Sequence, residues 1–266
     1  MNGAAGFPTH VRTFGSGDRP ALAIHCTLAH SGAWAGVAKV LGEHLTLTAY
    51  DLPGHGKSGD WTGEGDLHQV STDMGRALLT QPMDLVGHSF GATVALRLAV
   101  ENPAHVRSLT MIEPVFFAPA LADEPERVQA HDDLVADYEQ GLADGDMESA
   151  ARGFNRVWGD GTKWADIPKS VRDYMIARIR IVPDGTPMLF DDNAKLLVPG
   201  ALDRVTMPSL LIEGEASIDV VDAINGALAR RLPDARRMVI EGAGHMAPIT
   251  HPEAVGAAIH ALLEVS

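Results

Sequence analysis

Two residues in this chain have the chemistry and the surroundings for nucleophilic catalysis. Ser89 lies at the centre of Gly87-His88-Ser89-Phe90-Gly91, a G-x-S-x-G pattern. An apolar run, Met83 to Val86, precedes it, and a helical run, Ala92 to Val100, follows it. That context predicts a strand, a sharp turn with the serine at its apex, and a helix. The glycines are needed because side chains two residues to either side of the serine would collide in so tight a turn. A serine hydroxyl is a weak nucleophile at neutral pH, so it needs a base within hydrogen-bond reach and an acid that orients the base. His245, in Gly242-Ala243-Gly244-His245-Met246, is the candidate base. Its small neighbours let the backbone bring the imidazole over the serine. The 12 histidines are otherwise scattered, with no H-E-x-x-H and no Cys/His cluster, so no metal site is expected.

Those residues must be carried by a frame, and the apolar spacing predicts one. Strand patterns run His10 to Phe14, Ala21 to His25, Leu45 to Tyr50, Met83 to Val86, Val106 to Ile112, Ser209 to Glu213 and Arg237 to Ile240. Helical patterns run Trp34 to Leu41, Leu67 to Leu79, Ala92 to Val100, Val220 to Leu232 and Glu253 to Leu263. Strands alternating with helices predict an α/β fold, a mostly parallel central sheet flanked by helices. The alternation stops after Pro114. From there to Leu197 only helical patterns occur, clearest over Arg127 to Glu139, Met147 to Trp158 and Val171 to Ile181. Strands then resume, so the chain divides into a core of residues 1–117 and 198–266 and a helical cap inserted at 118–197. No internal repeat or low-complexity tract interrupts it.

Bulk composition excludes several partners. Lys and Arg number 21 against 35 Asp and Glu, a net charge of −14, which disfavours nucleic acid and anionic membrane surfaces. One cysteine, Cys26, rules out an intrachain disulfide. Met1 to Pro8 carries neither a basic nor an apolar leader pattern, and no apolar run is long enough to span a bilayer. The expectation is a cytoplasmic protein, monomer or homodimer, acting on a small-molecule substrate.

At its motifs the chain resembles the α/β-hydrolase superfamily. Asp51-Leu52-Pro53-Gly54-His55-Gly56-Lys57-Ser58, the Ser89 turn and Gly244-His245 all fall in the order and spacing of that superfamily. The resemblance implies hydrolysis through an acyl-enzyme intermediate without a cofactor. It also implies an aspartate a few residues after the strand Ser209 to Glu213. Here the segment reads Gly214-Glu215-Ala216-Ser217, with a serine at the expected position. Glu113 is the favoured substitute, because it ends a rigid strand and its side chain is long; Asp219 and Glu215 stay open as alternatives. Asp219 also suits an N-cap for the helix that begins at Val220.

The resemblance further places an oxyanion hole at two backbone N–H groups, that of Phe90 and that of Thr27. Relatives usually read His-Gly-x where this chain reads His25-Cys26-Thr27, and Cys26 is expected to be a small buried thiol. His88 is expected to pack or hydrogen-bond beneath the nucleophile, His55 to serve the turn, and His30 to line the pocket. In such enzymes the cap roofs the pocket. Substrate-binding candidates are Trp34, Phe117, Trp158 and Met246, with Phe116, Trp164 and Met188 behind them. This apolar set favours a small hydrophobic ester. Arg152, Arg156, Arg178 and Arg180 are possible carboxylate partners, although scattered helix arginines are usually surface. The leading reading is a serine esterase. Alternatives on the same scaffold are a C–C bond hydrolase, a lactonase or a cofactor-free perhydrolase. A ligand-binding member with vestigial catalysis is a third reading, raised by Ser217.

Overall fold

The computed structural model describes residues 3–266, so Met1 and Asn2 of the Met1–Pro8 stretch lie outside the described residues. Among the described residues, seven strands form one sheet: β1 (Val11–Phe14), β2 (Arg19–Ile24), β3 (Leu45–Tyr50), β4 (Met83–His88), β5 (Val106–Ile112), β6 (Ser209–Gly214) and β7 (Ala235–Ile240). Their order across the sheet is β1-β3-β2-β4-β5-β6-β7. β1 runs antiparallel to β3, and every other neighbouring pair is parallel. The helices of the strand-alternating part are α1 (Ala35–Leu41), α2 (Leu67–Leu78) and α3 (Phe90–Glu101). Between β5 and β6 the described chain holds helices and no strand: α4 (Phe117–Asp123), α5 (Pro125–Asp144), α6 (Met147–Trp158), α7 (Lys169–Arg178) and α8 (Thr186–Leu189). After β6 come α9 (Asp219–Ala229), α10 (Ala247–Thr250) and α11 (Pro252–Leu263).

The central strands of this mostly parallel sheet are covered on both faces, as buried parallel strands require. Successive side chains alternate between faces. Leu22 and Ile24 of β2 join the core shared with α2, α3 and α9, while Ala21 and Ala23 join the core shared with α1 and α11. Every residue of β4 and β6 is buried. Within the inserted helices, α5 and α6 approach closely through glycine. A Cβ on Gly141 would stand 2.4 Å from the Ala150 nitrogen, and one on Gly153 would stand 2.7 Å from the Tyr138 nitrogen.

Boundaries shift where local chemistry outweighs periodicity. The run predicted as helix from Trp34 opens instead with a 3-10 turn, Ser31–Trp34, before α1. The helix predicted over Val171 to Ile181 is α7 followed by a 3-10 stretch, Ile179–Gly185, in which Pro183 lacks the N–H an α-helix needs. Asp219 is the first residue of α9 rather than its N-cap, which is Ile218.

The strand order explains where a site forms. From β2 the chain moves to β3 on one side, and from β4 it moves to β5 on the other. The loops leaving the carboxyl ends of β2 and β4 therefore diverge and open a crevice between them. Thr27 lies on the first loop and Ser89 on the second. The crevice closes at its base because α3 starts hard against β2. A Cβ on Gly91 would sit 2.2 Å from the Ile24 carbonyl oxygen, and one on Gly87 would sit 2.3 Å from the Gly91 oxygen. These neighbours are backbone atoms that cannot swing away. Gly91→Ala is expected to destabilise the protein by about 1–3 kcal/mol, read as a lowered midpoint in thermal or urea unfolding; an unchanged midpoint would contradict the close approach.

Candidate active site

Ser89 occupies the turn between β4 and α3 with φ 55° and ψ −120°, a conformation that side-chain-bearing residues rarely adopt. Its N–H donates to the Ile112 carbonyl at 2.9 Å, and its carbonyl accepts from Ala92 N–H at 2.9 Å. These bonds hold the strained turn in place. Ser89 Oγ lies 3.0 Å from His245 Nε2. On the far side of the ring, His245 Nδ1 lies 3.0 Å from Glu113 Oε2. Because a carboxylate only accepts, Nδ1 carries the proton, which leaves the Nε2 lone pair facing the serine hydroxyl. His88 Nε2–H donates to the His245 carbonyl at 2.8 Å and so fixes the backbone behind the imidazole.

Glu113 is fully buried and directly follows β5 with φ 52°. Its other oxygen, Oε1, accepts from Gly214 N–H at 2.6 Å and from Ser217 Oγ–H at 2.7 Å. Ser217 thus stands where an aspartate was expected and donates to the glutamate that reaches the histidine. Neither alternative acid is near. Asp219 is exposed and pairs with Arg127 at 2.6 Å, and Glu215 Oε2 accepts from Gly242 N–H at 3.0 Å.

The loop after β2 is tied down from several directions. His25 Nδ1–H donates to the Cys26 carbonyl at 2.7 Å, and its Nε2 accepts from Leu52 N–H at 2.9 Å. His55 Nδ1–H donates to the Pro53 carbonyl at 2.8 Å, and its Nε2 accepts from Leu28 N–H at 3.0 Å. That bond steadies Leu28 at φ 63°. Tyr174, from α7, accepts from Gly56 N–H and donates to the Ala29 carbonyl, both at 2.9 Å. Among the described residues, neither Thr27 N–H nor Phe90 N–H has an acceptor in the chain. Phe90 is the first residue of α3, where an unpaired N–H and the positive end of the helix dipole coincide. Cys26 is buried, and burial pushes its thiol up to about 12, so it is no thiolate.

Two cavities meet at this point, sharing Thr27, Phe154 and Trp158 in their walls. The smaller, about 340 Å³, contains Ser89, Phe90 and Phe117. The larger, about 660 Å³, contains His30, Tyr174 and Met246 but not Ser89. Of the sequence candidates, Phe117 and Trp158 line the smaller cavity, and Trp158 and Met246 the larger. Trp34 lines neither: it is 1 % exposed and packs in the core of α1 and α11, outside both cavities. It lies just past the β2 loop in sequence, at the end of the 3-10 turn Ser31–Trp34, yet packs with α1 and α11. Phe116 and Met188 are likewise core, and Trp164 packs within the inserted helices. None of Arg152, Arg156, Arg178 and Arg180 lines a cavity; Arg178 lies over the Tyr174 ring and donates to the Gly54 carbonyl. The sequence reading missed His131, Val135 and Tyr138, which face the smaller cavity from α5. Their helical spacing was visible, but nothing in it separates a cavity wall from a helix-packing stripe. Among the described residues, no group of three potential ligands could hold a metal ion, and no helix is long and apolar enough to cross a membrane.

A parallel sheet with a serine on the β4–α3 turn and a histidine beyond the last strand defines the class of an α/β hydrolase. The profile of the Alpha/beta hydrolase family matches residues 21–258, and the chain belongs to that family. It is 30% identical over 262 residues to a pimeloyl-[acyl-carrier protein] methyl ester esterase of Xanthomonas campestris pv. campestris, covering 94% of this chain and 97% of the relative. It is 28% identical over 273 residues to the lipase LipV of Mycobacterium tuberculosis, covering 96% and 97%. A bromoperoxidase from Bacillus anthracis superposes with a TM-score of 0.76 at 20% identity, covering 97% of this chain and 96% of that one, a likeness of fold.

The histidines beneath the site carry a stability consequence. Desolvation pushes His25 down to about 3, His55 to about 4 and His88 to about 3. In the unfolded chain each titrates near about 6.5. Below that pH the unfolded state takes up protons that the folded state refuses, so stability falls as pH falls. Each group contributes about 1.4 kcal/mol per pH unit across this window. Denaturant unfolding between about pH 6.5 and about pH 5 is expected to show a loss of several kcal/mol. A flat profile would mean that these imidazoles are charged in the folded protein.

Proposed function

We propose that this protein is a serine esterase that cleaves small, mainly hydrophobic carboxylic esters through an acyl-enzyme intermediate. The observation that carries the reading is the unbroken chain of two 3.0 Å contacts from Ser89 Oγ through His245 to Glu113. In this reading Ser89 is the nucleophile, His245 the general base and then acid, and Glu113 the acid that holds the imidazole tautomer. Thr27 and Phe90 N–H groups form the oxyanion hole. Residues 118–197 form a cap, consistent with α5, α6 and α7 contributing to the cavity walls.

The chemistry runs in two halves. As Ser89 Oγ bonds to the ester carbonyl carbon, its proton passes to His245 Nε2. The carbonyl oxygen becomes an oxyanion facing the two N–H groups. The carbon–oxygen bond to the alcohol then breaks, and the alcohol leaves with the proton from His245. Water attacks the acyl carbon next and gives a proton to His245, which returns it to Ser89 Oγ as the carboxylic acid departs. Every proton taken is returned, so the cycle needs no cofactor.

The ester bond as target is supported by relatives named as esterase and lipase. A small substrate is supported by the volumes of the cavities, which lie in the range of small-molecule sites. The binding-only reading arose from Ser217, and the hydrogen bond from Ser217 to Glu113 weakens it.

Turnover of p-nitrophenyl butanoate, with lactones and vinylogous diketones as comparison substrates, tests the reading. Hydrolysis confined to the diketones would overturn it in favour of C–C cleavage. Ser89→Ala is expected to abolish turnover and labelling by a fluorophosphonate. Glu113→Gln is expected to lower kcat by about 10³–10⁴-fold, because the tautomer is no longer set. Asp219→Asn is expected to leave kcat near the wild-type value; its loss there would reassign the acid. Ser217→Ala removes one of three donors to Glu113 and is expected to cost about tenfold.

A further inference from the structure

The smaller cavity is not apolar throughout. One wall is aromatic and aliphatic, but His131 of α5 faces it as well. His131 is 6 % exposed, and neither of its ring nitrogens has a hydrogen-bond partner. Its ring packs at 4.8 Å from that of Phe117 and at 5.4 Å from that of Trp158. Trp158 in turn contacts the His245 ring at 4.6 Å, so a single indole separates His131 from the imidazole beside Ser89. A buried imidazole without partners is costly to fold around and calls for a group that pairs with it.

The surroundings say what kind of group. Asp132 Oδ1 stands 3.5 Å from His131 Nδ1, too long for a hydrogen bond but close enough to favour a proton on that nitrogen. Nε2 then presents a lone pair. Asp132 and Glu139, the two carboxylates bordering this cavity, accept and do not donate. Among the described residues that line either cavity there is no Lys or Arg, and Asp160 adds a third carboxylate. Hydroxyls of Ser89, Tyr138 and Thr186 also line the smaller cavity, but the acidic side chains there have no Lys or Arg to balance them, so an anionic group meets repulsion without a counter-charge.

We propose that His131 is a specificity residue whose Nε2 accepts a hydrogen bond from a hydroxyl, amide N–H or amine on the substrate arm that fills the smaller cavity. The site therefore selects esters with a neutral or cationic donor on that arm and rejects carboxylate-bearing ones. At about 340 Å³ the cavity is larger than the roughly 150 Å³ that accepts a benzene, so it has room for a chain of several carbons with a polar end. This inference rests on the reading of Ser89 as the nucleophile.

The test compares kcat/KM for p-nitrophenyl heptanoate, its ω-acetamido analogue and the matching dicarboxylic half-ester. A second series places the same tails on the alcohol side, using heptyl acetate and its ω-acetamido and ω-carboxylate analogues. Wild type is expected to prefer the acetamido tail to the alkyl tail in one of the two series, with the carboxylate tail poorest. His131→Leu and His131→Phe are expected to lower the acetamido-to-alkyl ratio about tenfold. His131→Gln, which keeps an acceptor, is expected to recover part of it. His131→Phe preserves the ring packing and so separates selectivity from folding. Equal ratios in wild type and variants in both series would overturn the proposal. Failure of both His131→Leu and His131→Phe to fold would also overturn it, by making His131 structural. A wild type that turns over none of these esters and resists the fluorophosphonate sinks the esterase reading; an active, labelled wild type with unchanged ratios sinks only this one.

Discussion

A carboxylate with no access to solvent ties the functional end of this molecule together. Moving a carboxylate from water into a protein interior costs several kcal/mol unless its oxygens are hydrogen-bonded. Glu113 meets that requirement with three donors drawn from separate parts of the chain: the end of β6, the segment leading to α9, and the loop after β7. The consequence is mutual. The carboxylate is tolerated because those loops come to it, and the loops are held because the carboxylate needs them. Its left-handed backbone conformation belongs to the same arrangement, since it turns the side chain from β5 toward the β6 end.

The rest of the site follows from strand ends and from loops pinned to them. Ser89 stays strained because the ladder with Ile112 and the start of α3 both hold it. The facing loop stays in place because two buried neutral histidines each give one proton and accept one. Tyr174 links that loop to the inserted helices. Through Tyr174, α7 is hydrogen-bonded both to the turn at Gly56 and to the backbone at Ala29, two residues past Thr27. The same histidines make the arrangement sensitive to acid, because each is stable only while uncharged.

The cavities divide the polar and apolar tasks. Their walls come largely from the helices between β5 and β6 and from the loop after β2, while Ser89, Glu113 and His245 come from turns and loops that follow strands of the sheet. An apolar wall alone would sort substrates by size. An unpaired imidazole in such a wall sorts them by hydrogen bonding, because a mismatched partner leaves a buried polar group unsatisfied.

How much of this was readable beforehand depended on how local each cause is. The G-x-S-x-G turn was legible because its causes lie within five residues: a strand, two glycines and a helix start. The alternation of strands and helices, and its interruption after Pro114, were legible from apolar spacing. His245 was legible from its loop and its order after Ser89. Glu113 was only one of three carboxylates, because choosing among them needs the distance between two strand ends, and β5 and β6 are about a hundred residues apart in the chain. Trp34 was misplaced for a related reason: it packs with α1 and α11, and α11 lies more than two hundred residues further along the chain. Ser217 read as a gap and is a donor. By itself, then, the amino-acid sequence determined the elements and the Ser89 turn, set by short-range sterics and periodicity, and singled out Ser89 and His245 as candidates. Only the tertiary structure decided which carboxylate lies beside His245, which residues wall the cavities and that His131 is unpaired, because each depends on which groups long-range packing brings within a few ångströms.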